Sequence, residues 1–384
     1  MATDIILYII TCVSFFLLAF IAVLNPLKIN ITANKWFGLF LFSVGCMLLN
    51  VVIYTLKAEA DYAQLIAFNE LSRFAMAPAL YLSVLHYTSP DKTFKRKDYL
   101  HFIPFLLFFI YIGPAPVGLK VTFNAVNLLP VIVGKIIGIL LSLSVKVQLA
   151  VYWLMAYRKL NQHQKNIQHV ASNTGVVNLQ WLRFLLLGIV FMILLWFGTL
   201  LFNVSAIAKF STAGYFAGVL FICYFLLAQK EVYPYEPEEL VEIEIVIEEG
   251  KKRQPTKARF TDEQLAMLTN RLTKLMDTEK LYLDNELGLP QLAAEMGLSL
   301  HDLSYVLNEG LGKNFFQFIN TYRVDEAKQL ILSPKHKHLN ILGIAYSAGF
   351  NSKTTFNTSF KKETGLSPSQ FMQQGRTSPA VAIK

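Results

Sequence analysis

Residues 339–372 read LNILGIAYSAGFNSKTTFNTSFKKETGLSPSQFM, and their spacing decides how the C-terminal part of the chain folds. Ile341, Ile344 and Ala345 recur as an apolar helical stripe. Gly349-Phe350 supplies a turn in which the glycine can take positive φ before Phe350 tucks inward. Ser352 is placed to cap a second helix, Phe356 and Phe360 lie four apart on its buried face, and Gly365 ends it. At about 100° per residue, Thr354, Thr355, Thr358, Lys361 and Lys362 fall on the opposite, exposed side. Two helices joined by such a turn form a helix-turn-helix, and that exposed side is the one a DNA groove would meet.

The run Ile344-Ala345, Gly349-Phe350, Phe356, Phe360-Lys361, Gly365 and Ser367-Pro368 closely resembles the signature of AraC/XylS-type transcriptional regulators. Such domains carry two helix-turn-helices, and an upstream half fits the pattern at Leu292-Ala293, Gly297-Leu298-Ser299, Leu303, Leu307, Gly312, Phe315, Arg323 and Ala327. The resemblance covers roughly residues 285–375 and implies an all-α domain that reads double-stranded DNA with one helix of each half. Related proteins often carry Arg at the positions of Tyr305, Thr358 and Met372. Those three departures imply a modest monomeric grip on DNA and point either to a homodimer or to a first half used partly for protein contacts.

Charge divides this domain. Residues 260–334 hold six basic and eleven acidic side chains, whereas residues 335–384 hold seven basic and one acidic. Neutralising phosphates needs Lys and Arg, so salt-dependent affinity should concentrate in the second half. Expected base or phosphate contacts there are Lys353, Thr354, Asn357, Thr358 and Lys361. Lys353 is included because the helix N-terminus points into the groove. In the first half, Leu303 and Leu307 face inward and turn His301, Ser304 and Tyr305 outward as hydrogen-bonding groups.

Upstream the composition is of another kind. The chain of 384 residues is 54% hydrophobic with a mean hydropathy of +0.42, and the apolar excess lies before Lys230. Seven segments reach the roughly 20 residues needed to cross a lipid bilayer, at about 5–24, 36–56, 64–87, 99–119, 130–157, 181–204 and 209–228. The fourth is interrupted by Gly113-Pro114 and Pro116. Loops one, three and five hold nine Lys and Arg against three in the other loops, which puts the N-terminus outside and the C-terminal domain in the cytoplasm. The expected fold is all-α: a seven-helix transmembrane bundle in the inner membrane, then a cytoplasmic domain with two helix-turn-helix units. Cys12, Cys46 and Cys223 sit in apolar runs without ligand spacing, and no motif calls for a metal, a cofactor or a catalytic group.

Residues 229–260 form a charged linker, with one Lys and eight Glu over 229–250 and five basic residues over 251–259. Val241–Glu249 alternates apolar and acidic residues, which predicts a short half-buried strand or hinge; docking against an inner loop is the alternative. The basic cluster suits the linker's own acids or anionic lipid headgroups. A helix over 261–282 follows, opened by a Thr261 to Gln264 capping box. Its seam of Leu265, Leu268, Leu272 and Leu275 serves either packing on the adjacent domain or a homodimer. Residues 376–384 read as a disordered tail.

Charged groups inside a bilayer are costly, which singles out Glu70, Arg73 and Lys146 as a site for a small-molecule or membrane-protein signal, with a fixed ion pair as the plainer alternative. Taken together, the sequence describes a non-enzymatic, membrane-bound one-component regulator. The competing class is a membrane transporter or enzyme carrying an appended DNA-binding domain.

Overall fold

The computed structural model describes residues 2–91, 93, 95–112, 130–175, 177–202, 205–250 and 258–377. Contacts divide the chain into two units, Met1–Asn161 with Leu179–Val232, and Gln162–Asn178 with Tyr233–Lys384. Among the described residues the named elements are all helices, and the one β-type pairing is an isolated bridge between Ala171 and Gly288.

The first unit contains α1 (Ala2–Leu24), α2 (Ile31–Thr55), α3 (Ala63–Thr88), α4 (Ile103–Ile112), most of α5 (Val131–Asn166), α6 (Gln180–Phe202) and α7 (Ser205–Ala228). Helices α1, α2 and α3 pack most extensively, burying Phe37, Leu41, Leu82 and Val84 completely or nearly so. Gly38 permits the α1–α2 approach, since a Cβ there would meet Val23 Cγ2 at 2.6 Å and the Ala19 carbonyl oxygen at 3.0 Å. Polar groups buried in this unit bond across helices. Tyr87 donates to Asn34, and Gln148 Nε2 donates to the Phe74 carbonyl at 3.1 Å.

Four helices among the described residues are long and apolar enough to cross a membrane: Ile5–Leu24, Ile31–Thr55, Ile136–His169 and Phe210–Ala228; Gln180–Leu195 is a shorter apolar helix. This is fewer than the seven segments expected. Helix α3 has the length, at 26 residues, but Asn69, Glu70, Arg73 and His86 dilute its apolar character. The fourth expected segment is helical over Ile103–Ile112, and its remainder, with Gly113-Pro114 and Pro116, lies outside the described residues.

The second unit contains α8 (Pro237–Glu249), α9 (Asp262–Glu279), α10 (Leu289–Met296), α11 (Leu300–Tyr305), α12 (Phe315–Leu332), α13 (Ile341–Ser347), α14 (Lys353–Thr364) and α15 (Pro368–Thr377). Helix α8 corrects the strand expected over Val241–Glu249. Glu236 and Glu239 close a capping box around Pro237, and Ile243, Val246 and Ile247 form one buried face at helical spacing. Alternating Glu and Ile mimics a strand locally, but the cap and the i, i+3, i+4 burial select the helix. The cluster Lys251, Lys252, Arg253 and Lys257 and the end of the tail, 378–384, lie outside the described residues. Helix α9 opens on the expected Thr261–Gln264 box and buries Leu268, Leu272 and Met276. Its packing partners are the π-turn Val306–Gly310 and the 3-10 turn Leu281–Leu283, so the leucine seam is used inside the domain.

Candidate DNA-binding surface

Two short helix pairs carry the expected site. In the first, α10 ends on Gly297 at φ +61°, and Ser299 caps α11 by accepting the Asp302 amide at 3.1 Å. Leu303 is fully buried, and α11 runs on into the π-turn over Val306–Gly310. In the second, Asn340 caps α13 through the Gly343 amide at 2.8 Å, and Ser352 caps α14 through the Thr355 amide at 3.3 Å. Gly349 takes φ +88° between them, where a Cβ would strike the Tyr282 carbonyl oxygen and lie 3.0 Å from Leu283 Cα. Phe350, Phe356 and Phe360 pack in sequence, the first pair tilted and the second edge-to-face, at centroid separations of 5.1 and 5.5 Å, within a core shared with Val324, Ala327, Ile344 and Ala345.

This packing leaves Lys353, Thr354, Asn357, Thr358 and Lys361 all exposed along α14. Thr355 differs from the angle count: it is half-buried, and its amide donates to the Ser352 cap. The exposed set offers two ammonium groups and three neutral hydrogen-bonding side chains, the combination that neutralises phosphate and reads base edges.

The first pair presents its candidates differently. His301 Nε2 contacts the Glu249 carboxylate of α8, and its side chain is 20% exposed. Ser304 Oγ accepts from Asn308 Nδ2 at 3.3 Å, and Tyr305 packs edge-on to Phe260 at 5.9 Å. Asp302 accepts from Ser299 Oγ at 2.7 Å and from Arg259 at 2.6 Å. Burial pushes the Asp302 carboxyl up, but the Ser299 and Arg259 hydrogen bonds outweigh it and hold the group below the usual carboxylate range.

Beside the Gly349 turn of the second pair lies Arg323 of α12, the largest fully buried side chain among the described residues. Its Nε donates to the Tyr282 carbonyl at 2.7 Å, and its terminal nitrogens reach the Asp284 carbonyl at 2.7 Å, Ser172 Oγ at 2.9 Å and the Ser172 carbonyl at 3.2 Å. Desolvation pushes the guanidinium down to about 10, which leaves it charged at neutral pH. Ser172 belongs to the segment joining α5 to α6, which is therefore a built part of this unit. The same segment pairs backbone with α10 through Leu289 N to the Val170 carbonyl at 2.8 Å, and a Cβ on Gly175 would touch Ser352 at the cap of α14. Motif spacing marked Arg323 as a position in a pattern. Its acceptors come from residues some 40 and 150 positions away, for which the sequence carries no periodic signal.

Two of the membrane-half candidates meet along one helix. Arg73 and Glu70 pair at 2.6 Å along α3, and Asn50 Nδ2 of α2 donates to Glu70 at 3.0 Å. Asn69 in turn donates to Asn50 at 2.7 Å. Lys146 is exposed on α5, beside Ser142 and Gly138.

Residues 292–374 match the family described as a helix-turn-helix domain, and this C-terminal part of the chain is a domain of the AraC type. Over 112 residues the chain is 30% identical to an uncharacterized HTH-type transcriptional regulator of Staphylococcus aureus, a match covering 29% of this chain and 15% of that protein. Over 114 residues it is 28% identical to the HTH-type transcriptional activator RhaS of Escherichia coli, covering 30% of this chain and 40% of RhaS. The chain thus spans well under half the length of these relatives. A solved protein of unknown function from Listeria innocua aligns over 28% of this chain and 96% of its own at 23% identity, with a TM-score of 0.25.

Proposed function

We propose that the chain is a membrane-bound one-component transcription regulator. It binds double-stranded DNA through two helix-turn-helix units, α10–α11 and α13–α14, with α11 and α14 entering the major groove. On this reading Lys353 and Lys361 hold phosphates while Thr354, Asn357 and Thr358 face base edges. The observation that carries it is the AraC-type domain at 292–374, with α14 presenting this exposed polar face, in a chain whose earlier helices are long and apolar enough to span a bilayer. The bias of Lys and Arg toward alternate loops supports a cytoplasmic location for the domain.

The segment 162–178 supplies the link from signal to DNA. It continues covalently from α5 and into α6, and its Ser172 is bound by the buried Arg323 beside the α13–α14 turn. A signal received among the membrane helices, with the Glu70–Arg73–Asn50 cluster as the candidate receiving point, would reach the domain through this segment as well as through α8 and the linker.

The test uses full-length protein in lipid nanodiscs and a pool of duplexes randomised over a central window. Lys353→Ala with Lys361→Ala should weaken retention of the pool. The logarithmic salt slope should fall by about 1.8, since each phosphate contact contributes roughly 0.9. An unchanged slope removes α14 from the binding surface. A reporter fused to the C-terminus that is active only outside the cytoplasm overturns the reading as a whole.

A further inference from the structure

The acidic helix α8 lies against α11, the expected reading helix of the first helix pair, and its contacts there are polar and specific. Glu242 Oε2 accepts the Leu300 amide at 3.0 Å, and Glu249 contacts His301 Nε2. Backbone amides and polar side chains at the start of a reading helix are the donors that ordinarily meet phosphate oxygens. Here each is met by a carboxylate from the same chain, an anionic acceptor of the same kind.

Three further observations place α8 in this position by construction. Ile243, Val246 and Ile247 are buried, so the helix is seated by an apolar face as well as by its charges. The chain entering it is anchored by Tyr233, which is 1% exposed and whose hydroxyl lies 3.3 Å from His163 Nδ1. At its other end, a Cβ on Gly250 would meet the His169 ring at 2.8 Å. Both His163 and His169 belong to the helical run that leads into the α5–α6 segment, so one short stretch of chain brackets α8 at both ends.

Building on the reading of α11 as a DNA-reading helix, we propose that α8 is an internal competitor for DNA. In the conformation described here its Glu242 and Glu249 occupy donors that α11 needs, and the α10–α11 pair engages DNA only when α8 leaves. Displacement of the His163–His169 stretch by the membrane helices it continues is the step that loosens α8. The two polar contacts suit a reversible device: Glu249 is 31% and His301 20% exposed at their side chains, so the closure is held by a few partly solvated bonds over a small apolar seat. The lysine-bearing face of α14 stays open, which leaves the closed state with weak, poorly selective DNA binding through the α13–α14 pair alone.

The experiment uses full-length protein in nanodiscs and the same randomised duplex pool. Glu242→Gln with Glu249→Gln removes both carboxylates without changing shape. Retention of the pool should rise roughly ten-fold, as two charge-assisted bonds are lost from the closed state only. The second arm places Glu249→Cys and His301→Cys in a background with Cys12, Cys46 and Cys223 replaced by Ala, and joins the two thiols with a disulfide-containing bis-maleimide. The cross-linked protein should retain less of the pool than the same double-cysteine protein after reduction, a comparison in which the loss of His301 is common to both states. Equal or weaker binding by the Gln variant, or retention indifferent to the cross-link, overturns the proposal. If Lys353→Ala with Lys361→Ala still lowers retention in that case, DNA reading stands without the competitor. If no form retains duplex, both readings fall.

Discussion

Replacing Arg323 by Ala is the most direct challenge to the account of how the second unit is held together. The guanidinium serves three backbone carbonyls, those of Tyr282, Asp284 and Ser172, and one hydroxyl, Ser172 Oγ, at 2.7–3.2 Å. Hydrogen bonds made by a charged donor contribute roughly 1.5–3 kcal/mol each when removed singly, but four on one fork are not additive. The cost of burying the cation is recovered on truncation, while the acceptors are left in a cavity without a donor. The net loss should be about 3 kcal/mol, equivalent to roughly a hundred-fold fall in the protection of core amides at about 1.36 kcal/mol per factor of ten. Ser172→Ala removes one of the four acceptors and the Ser172 hydroxyl's own bond to the Leu287 carbonyl at 2.6 Å, and should cost about 1 kcal/mol. Arg323→Lys keeps the charge without the planar fork and should fall between them. Tryptophan emission is blind to this, because Trp36, Trp153, Trp181 and Trp196 all lie in the first unit. Hydrogen exchange of α12 and of residues 281–287, measured on the nanodisc-embedded chain, reads it directly. Protection within three-fold of the unaltered protein in Arg323→Ala, or a Ser172→Ala effect as large as that of Arg323→Ala, would refute the reasoning.

Two further outcomes follow from local geometry. Gly349→Ala meets both a left-handed backbone at φ +88° and the Tyr282–Leu283 backbone, so it should destabilise the α13–α14 pair by at least about 2 kcal/mol. Amide exchange in residues 339–364 should accelerate at least ten-fold, and unchanged exchange would contradict the turn. Asp302, held below its ordinary range in the folded protein, contributes stability that is complete above its unfolded value near 3.8 and is lost as pH falls through the lower folded value. Exchange-corrected protection at the start of α11 should therefore decline as pH falls below about 4, where the carboxylate protonates, and Asp302→Asn should reduce that pH dependence, leaving the part carried by the Glu242 and Glu249 contacts.

The second helix pair was legible because its signals are local. A cap, a glycine at the turn and two phenylalanines four apart determine α13 and α14 whatever surrounds them, and the exposed side follows from the period. The capping box at Thr261 marked the start of α9 for the same reason. Where the reading failed, two local signals conflicted. Alternating Glu and Ile over 241–249 suggested a strand, and only the seat for Ile243, Val246 and Ile247 decides that the helical face is the one buried.

By itself, then, the sequence determined the helical character of most of the chain, the break near residue 230, the AraC-type pattern and most of the residues exposed along α14. All of these rest on periods, caps and composition that act within a few residues of chain. Tertiary structure alone decided that a short stretch between two apolar helices would supply Ser172 to Arg323, and that an acidic linker helix would set its carboxylates on Leu300 and His301. These contacts join residues 52 to 151 positions apart. No periodic pattern encodes such pairs, because the requirement behind them, that every buried donor find an acceptor, is satisfied only once the whole fold is assembled.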